Sequence, residues 1–493
     1  MRNARRGEFR IRSVKFNAVM NTLLTASNML ASVITIPYVT RVLTVEGYGD
    51  VSFAQSVSAW LSAFCLMGIN VYGVRECAKR RDDPKALAKI VRELLALITI
   101  STVVVLGLFA VAIPLVPQFS RLAPLMWMFL VGTLLLSYGV EWFYQGIEQY
   151  SYITERSVAF KLISLVATFL LVRSPDDYLV YGAIIAVVMC GNNLFNLLRL
   201  HRMVNLREPV RLNLRSHLRP LAAFATQSIA SAVYLSFDST ILGIMSAGNY
   251  QVGLYQLATK LKAVMFQVLN AVLGVLIPRL SYHLKNDDRQ AFLLLLTKGL
   301  GITLNICTAI CGYLLVFAEP VVVLVSGEGF ADAAGPLRLI GIVNFLSCVS
   351  YFFGMCVLAP LGRERELATA NLAGVPVSVV LNLALDARLG AMGAALSILA
   401  SELVIFIVLG WCSRDVLAQF ASPLSLVKVL ASNAVAFLAS IAFVTVVGEG
   451  AGVLLAVAGL AVYSVVDVAV AVALGDRTAR SMVELLRSKL VRR

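Results

Sequence analysis

Apolar runs of about 20 residues follow one another along almost the whole chain, from Val14 to Leu474. Each is long enough to cross a hydrocarbon core of about 30 Å as an α-helix. Lipid offers no partners for peptide groups, so only helices or closed barrels satisfy their backbones there. Barrel strands alternate polar and apolar residues, and these runs do not. The expected fold class is therefore all-α and polytopic. About 14 transmembrane helices are read, near 15–40, 50–72, 88–116, 122–144, 156–173, 178–199, 220–243, 252–280, 291–318, 336–359, 367–386, 391–411, 424–447 and 451–474. Composition agrees: 59% of the residues are hydrophobic, well above the roughly 45–50% of soluble domains.

The net charge of +14 could suggest a nucleic-acid partner. Its placement argues otherwise. With the N-terminus set in the cytoplasm, 35 of the 42 Lys and Arg residues fall in cytoplasmic segments or adjoining helix ends. Five lie on the opposite side (Arg41, Arg121, Arg173, Arg338, Arg388), and Lys260 and Lys262 lie within a span. This bias implies that both termini are cytoplasmic, and it makes the bilayer the partner of the basic surface. Residues 199–219 carry Arg207, Arg211, Arg215 and Arg219 at four-residue spacing beside Val210, Leu214 and Leu218. They read as a basic amphipathic surface helix, or alternatively as an extended linker. The tail 476–493, with Val483, Leu486 and Leu490 among arginines, reads the same way. The basic N-terminus is not followed by a signal-peptidase site, so the first apolar run is itself a span. The eight cysteines include no C-x-x-C pair and read as small buried hydrophobes. No metal and no cofactor is expected.

The first span is not uniformly apolar. Asn17, Asn21, Thr25, Asn28, Ser32 and Thr35 recur at helical spacing along it. Such a stripe turns away from lipid, toward other helices or a wet cavity. Pro37, Arg41 and an expected tight turn at Gly47-Tyr48-Gly49 follow. The pattern recurs later in the chain. Gln227, Ser231, Tyr234 and Asp238 repeat the stripe, Asn286–Ala291 repeats Arg81–Ala86, Pro320 repeats Pro114, and Leu361–Arg365 repeats Gln145–Gln149 at an offset of 216. The expected organisation is an N-terminal lobe of six helices (1–198), the linker 199–219, a C-terminal lobe of six helices (220–411), an extra helix pair (412–475) and the tail 476–493. Parallel repeats of this kind are related by a pseudo-twofold axis along the membrane normal, with the substrate site between them.

At Pro37-Tyr38, Arg41, Leu43, Gly47-Tyr48-Gly49, Phe53-Ala54, Gly68-Ile69 and Tyr72-Gly73-Val74-Arg75-Glu76 the chain resembles bacterial polysaccharide flippases. These belong to the multidrug/oligosaccharidyl-lipid/polysaccharide export superfamily. The resemblance implies two six-helix lobes around a V-shaped cavity. It also implies a passenger of undecaprenyl-pyrophosphate-linked oligosaccharide, moved by alternating access across the bacterial inner membrane. Polysaccharide assembly proteins are possible partners. Fourteen spans rather than twelve are similar to the lipid II flippases of the same superfamily, which keeps that substrate open.

A pyrophosphate-linked glycan needs cations for its phosphates and polar groups for its hydroxyls. The candidates for the former are Arg41, Lys260 and Lys262. The two lysines, two residues apart, point to different faces of one helix. Arg41 snorkelling outward and a lysine paired with Asp238 are the alternatives. Asn21, Thr25, Asn28, Gln227, Ser231 and Tyr234 are the candidate cavity lining, or else interhelical hydrogen-bonding groups. Asp238, Glu402 and Glu141 are the candidates for coupling to a proton or sodium gradient. Asp467 reads as a helix–helix contact. Three other functions compete: a cation-coupled multidrug exporter, which would favour acids over cations in its cavity; a membrane glycan polymerase or ligase; and an inactive assembly scaffold. The largest outer loop, near 319–335, is short, and His201, His217 and His283 all read as cytoplasmic loop residues. No enzyme is therefore expected.

Overall fold

The computed structural model describes residues 14–206, 212–246, 248–448, 452–476 and 479–480. The basic residues up to Arg12, Arg207, Arg211 and nearly all of the tail 476–493 lie outside the described residues. So does the side chain of Tyr234. The described chain is helical, with no strand among the described residues. Two compact units divide it, the first running through Gly253 and the second from Leu254.

The first unit holds α1 (Val14–Val42), α2 (Val45–Leu66), α3 (Ile69–Arg80), α4 (Pro84–Leu115), α5 (Pro117–Arg121), α6 (Ala123–Ser137), α7 (Glu141–Gly146), α8 (Tyr150–Leu171), α9 (Tyr178–Met203) and α10 (Arg215–Met245). Helix α11 (Tyr250–Lys285) starts in it and runs on into the second unit. That unit adds α12 (Arg289–Ser326), a 3-10 segment (Glu328–Ala333), α13 (Ala334–Tyr351) with a π-helical end (Phe352–Leu358), α14 (Glu364–Leu389), α15 (Ala391–Phe420), α16 (Pro423–Val447) and α17 (Gly452–Ala473). Eleven helices among the described residues are long and apolar enough to cross a membrane, or up to 13 if each of two bent pairs is one span. One bend, of 41°, lies between α2 and α3, and the other is within α10. The remaining span read from sequence is α8. It has the length, but Glu155, Arg156 and Lys161 make it more polar than the rest.

Gly47-Tyr48-Gly49 is not a tight turn. Thr44 caps α2, its Oγ1 accepting from Gly47 N–H at 3.0 Å, and the three residues lie in the first helical turns. The glycines serve close packing instead. A Cβ on Gly49 would run into the Asn249 carbonyl, and one on Gly253 into the Val45 carbonyl. Helix α10 lies on α2 at this seam, with the Ser56 and Thr240 hydroxyls 2.9 Å apart and Trp60 Nε1 donating to Thr240 at 3.2 Å. Small residues at a helix crossing let backbones approach and gain dispersion contacts, which drive association where lipid already solvates apolar side chains.

The segment 199–219 also differs from expectation. Its ends belong to the long helices: α9 runs through Met203, and Arg215 and Arg219 are already on α10. His217 is therefore no loop residue but is 6% exposed on α10. Its Nε2–H donates to Glu93 Oε2 at 3.0 Å, Tyr72 O–H donates to its Nδ1 at 2.8 Å, and Asn213 N–H donates to the other Glu93 oxygen at 2.8 Å. These bonds tie the start of α10 to α3 and α4. His201 and His283 likewise lie on helices, α9 and α11.

The repeated pattern has a structural counterpart in the caps and turns. Asp83 caps α4, accepting from Lys85 and Ala86, and Asp288 caps α12, accepting from Ala291 at 3.1 Å. The Ala291 bond holds the Asp288 carboxyl below the usual carboxylate range. The turn before α8 has Glu148 at φ +57, with Glu148 N–H on the Gln145 carbonyl and Gln149 N–H on Tyr144. The turn before α14 has Gly362 at φ +71, with Gly362 N–H on Ala359 and Arg363 N–H on Leu358. Glu148 thus corresponds to Gly362. That register is two residues tighter than the sequence pairing of Gly146 with Gly362, because the left-handed residue of the turn, not the shared glycine, marks the equivalent position.

Gly49→Ala is expected to destabilise the protein by about 1–3 kcal/mol through overpacking at the Asn249 carbonyl. Gly107→Ala, where an added Cβ meets nothing within 4 Å, is expected to stabilise its helix by about 0.5–1 kcal/mol. Thermal unfolding of the two variants in detergent checks both signs.

Candidate functional site

Helix α1 packs mainly along α8, and the contacts sit at defined heights. Asn17 Nδ2 donates to Glu148 Oε2 at 3.4 Å, Thr154 Oγ1 to the Met20 carbonyl at 3.0 Å, Lys161 Nζ to Ser27 Oγ at 3.0 Å, and Tyr38 O–H to the Val172 carbonyl at 2.7 Å. The stripe of Asn21, Thr25, Asn28 and Ser32 lies one position round the helix from this seam, and all four side chains are exposed. Thr25 and Ser32 only bond back to the carbonyls of Asn21 and Asn28. The stripe is therefore not absorbed into α1–α8 packing, and its hydrogen-bonding capacity points outward. Arg41 is exposed at the far end of the same helix.

On α10, Gln227 is exposed and Ser231 half-buried, with 3.4 Å between Gln227 Nε2 and Ser231 Oγ. Asp238, further along the helix, is 5% exposed. Both striped helices belong to the first compact unit.

In the second unit the two candidate lysines part company, as their spacing requires. Lys262 Nζ lies 3.6 Å from Glu402 Oε1, with only 16% and 7% of the two side chains exposed. Ser347 Oγ donates to the same carboxylate oxygen at 2.6 Å. Lys260 is exposed. Tyr351 O–H donates to Asn270 Oδ1 at 2.7 Å, extending a polar line between α11 and α13.

The charge bias counts Arg156 and Lys161 among cytoplasmic segments and adjoining helix ends. The structure sets them on α8 beside α1 and α7. Arg156 is 8% exposed, 3.9 Å from Glu141 Oε2, with its guanidinium over the Tyr152 ring. Arg199 stacks over that ring too. The available signal was three charges within one span, read instead as a cytoplasmic flank. A second missed cluster joins Asp50 to Asn249 at 2.8 Å and to Arg121 at 3.4 Å.

Comparison with known proteins places these features. The family model described as polysaccharide biosynthesis protein matches residues 14–283, more than half of the chain. The chain belongs to the polysaccharide biosynthesis protein family. This family member is 26% identical over 402 residues to a putative O-antigen transporter of Escherichia coli K12, covering 80% of this chain and 95% of that protein. It is 26% identical over 194 residues to a probable low-salt glycan biosynthesis flippase of Haloferax volcanii, covering 39% and 40% of the two chains. Among solved structures, the lipid II flippase MurJ in an inward closed conformation superposes with a TM-score of 0.66 at 10% identity, over 94% of this chain and all of that one. An inward-facing multidrug resistance MATE transporter superposes at 0.58 with 16% identity, over 82% of this chain. These likenesses establish the fold. With its succession of apolar helices, this polysaccharide biosynthesis family member is a multi-pass membrane protein.

Breaking a buried ion pair by removing one partner costs about 3–5 kcal/mol, whereas replacing both with apolar groups can be neutral. Glu402→Leu and Lys262→Met are each expected to lower stability by about 3 kcal/mol, and the double variant Lys262→Met/Glu402→Leu to recover most of it. A double-mutant cycle on thermal unfolding measures this.

Proposed function

We propose that this protein is a flippase for lipid-linked oligosaccharides. It carries undecaprenyl-pyrophosphate-linked repeat units from the cytoplasmic to the outer leaflet of the bacterial inner membrane by alternating access, for polysaccharide biosynthesis. The observation that carries the reading is similarity over 95% of a protein named as a putative O-antigen transporter. The exposed stripe of Asn21, Thr25 and Asn28 supports it, since an outward-facing row of amides and hydroxyls on a span suits a hydroxyl-rich passenger rather than lipid. Gln227 and Ser231 extend this lining. Lys260, or in its place Arg41, meets the pyrophosphate, because an exposed cation can form charge-assisted bonds with phosphate oxygens. Lys262, neutralised by Glu402, positions the helix that carries Lys260. The charge bias of the loops puts both termini in the cytoplasm.

Asp238, Glu402 and Glu141 are the carboxylates through which the cycle couples to a proton or sodium gradient. The pairings of Glu402 with Lys262 and of Glu141 with Arg156 disfavour a cationic-drug exporter, whose cavity would need carboxylates without basic partners. A lipid II passenger is the second reading, favoured by the superposition on MurJ and by the pair α16–α17.

Expression in a bacterial strain lacking its own polysaccharide flippase tests the proposal. Restored surface glycan is expected. Lys260→Gln removes a charge-assisted bond worth about 1.5–3 kcal/mol and is expected to lower export at least tenfold at equal protein level. Asn21→Leu/Asn28→Leu is expected to lower it comparably. Full export by all of these variants and by Arg41→Gln sinks the assignment of the lining. Rescue of a lipid II flippase deficiency without glycan export transfers the protein to the second reading. Export that is unchanged after both gradients are collapsed rules out coupling through Asp238.

A further inference from the structure

Between α6 and α7 the chain leaves helical geometry. Val140 stands at φ +43, and a pocket of about 270 Å³ opens at the break. Its polar lining is Asn70, Ser137, Glu141, Trp142, Gln145 and Asn193, all in the first compact unit. Trp142 is 1% exposed, and Nε1 meets no acceptor among the described residues. A buried indole N–H ordinarily finds a partner. Gly73 seats the ring: a Cβ there would lie 2.6 Å from Cε3 and 2.8 Å from Cδ2, the edge away from Nε1. The Asn193 Nδ2 donates to the Met189 carbonyl at 2.8 Å, which leaves its Oδ1 as the adaptable group. Glu141 is held from two sides, by Gln145 Nε2 at 3.5 Å and by Arg156 at 3.9 Å.

These groups select a ligand class. The Arg156 guanidinium lies beside Glu141 and offsets its charge, so the pocket suits a neutral ligand. A phosphate only accepts hydrogen bonds and would face the carboxylate. An amine would compete with Arg156. A sugar hydroxyl both donates and accepts, and so matches a carboxylate, amides and an indole N–H placed together. The volume lies below the roughly 300–1,000 Å³ of drug-sized sites, which suits one ring rather than a chain.

We propose that this pocket binds a single neutral, hydroxyl-rich sugar ring of the passenger glycan, an assignment that rests on the flippase reading above. Glu141 accepts two neighbouring hydroxyls, Trp142 Nε1 donates to a ring or hydroxyl oxygen, and the amides of Asn70, Gln145 and Asn193 set the remaining hydroxyls. The pocket therefore reads the identity of one residue of the repeat unit.

Saturation-transfer NMR on the purified full chain in detergent tests this. The probes are D-glucose, D-galactose and N-acetyl-D-glucosamine, with inorganic phosphate and tetraphenylphosphonium as the anionic and cationic alternatives. Transfer to the ring protons of at least one sugar is expected, reduced about tenfold by Trp142→Phe and by Glu141→Gln and unchanged by Trp411→Phe. Thermal unfolding confirms that each variant is folded. Where Glu141→Gln fails to fold because Arg156 loses its neighbour, Trp142→Phe decides alone. No transfer from any of the three sugars overturns the proposal, as does equal transfer in wild type and Trp142→Phe, or displacement of sugar by the cation. Glycan export measured in parallel separates the two readings. Export with sugar binding unaltered in the variants overturns the subsite and keeps the flippase. Binding lost in the variants of a chain that exports nothing keeps the subsite and overturns the flippase.

Discussion

The hydrocarbon interior offers no hydrogen bonds, so a helix that crosses it can stop only where its freed peptide groups find partners. Each break has to satisfy its own peptide groups or be covered by protein. Thr44, Asp83 and Asp288 do so as N-caps. The turns at 144–149 and 358–363 do so with the same pair of backbone bonds around a left-handed residue. One copy uses Gly362, for which that conformation is free of steric cost. The other uses Glu148, and its side chain explains why a non-glycine residue is kept there. It accepts from Arg81 at 2.6 Å and from Asn17 at 3.4 Å, so one carboxylate ties the turn to the α3–α4 loop and to the start of α1.

Polar ties of this kind cluster at the helix ends where the loops are basic. Glu76 meets Arg75, Lys79 and Arg80 along one helix. Arg363 bridges Glu366, Asp415 and the Cys412 carbonyl, and the hydrogen bonds it donates to Glu366 and Asp415 raise the guanidinium above its ordinary range. Half-exposed pairs contribute little stability individually, roughly 0–1 kcal/mol. Their worth is geometric: apolar helices in lipid can slide along one another at small cost, and a bidentate ion pair at one end sets their register. The buried Tyr72–His217–Glu93 chain fixes α10 against α3 and α4 on the same principle, with every partner satisfied.

The membrane class, the spans and the family were legible because they rest on long runs and local motifs. Composition fixes burial in lipid over 20-residue windows, and a helical stripe is visible whenever polar residues recur at three and four. What could not be read was the reason for particular residues. Gly47-Tyr48-Gly49 resembles a turn locally, yet Gly49 is small because of a carbonyl 200 residues away. His217 sits amid arginines and reads as exposed, yet it is buried by Tyr72 and Glu93. Lys260 and Lys262 were separable by face, but their partners were not: Glu402 approaches Lys262 from a helix 140 residues later. The Arg156–Glu141 pairing spans only 15 residues but depends on the turn between α7 and α8.

The packing of α1 bears most directly on the transport reading. A span whose polar face is meant only for helix association would bring that face against its neighbour, since each unsatisfied group in hydrocarbon costs free energy. Here the neighbour α8 is met by a different face. Asn17 and Tyr38 anchor the two ends, Lys161 holds the middle through Ser27, and Asn21, Thr25, Asn28 and Ser32 remain outside that seam. Apolar side chains such as Val19, Leu30 and Ile34 occupy other positions of the exposed girth. The helix is thus fastened along one line, lipid-compatible along another and polar along a third. A polar surround for the third line reconciles all three, and the hydroxyl-rich passenger of the proposed flippase would supply one.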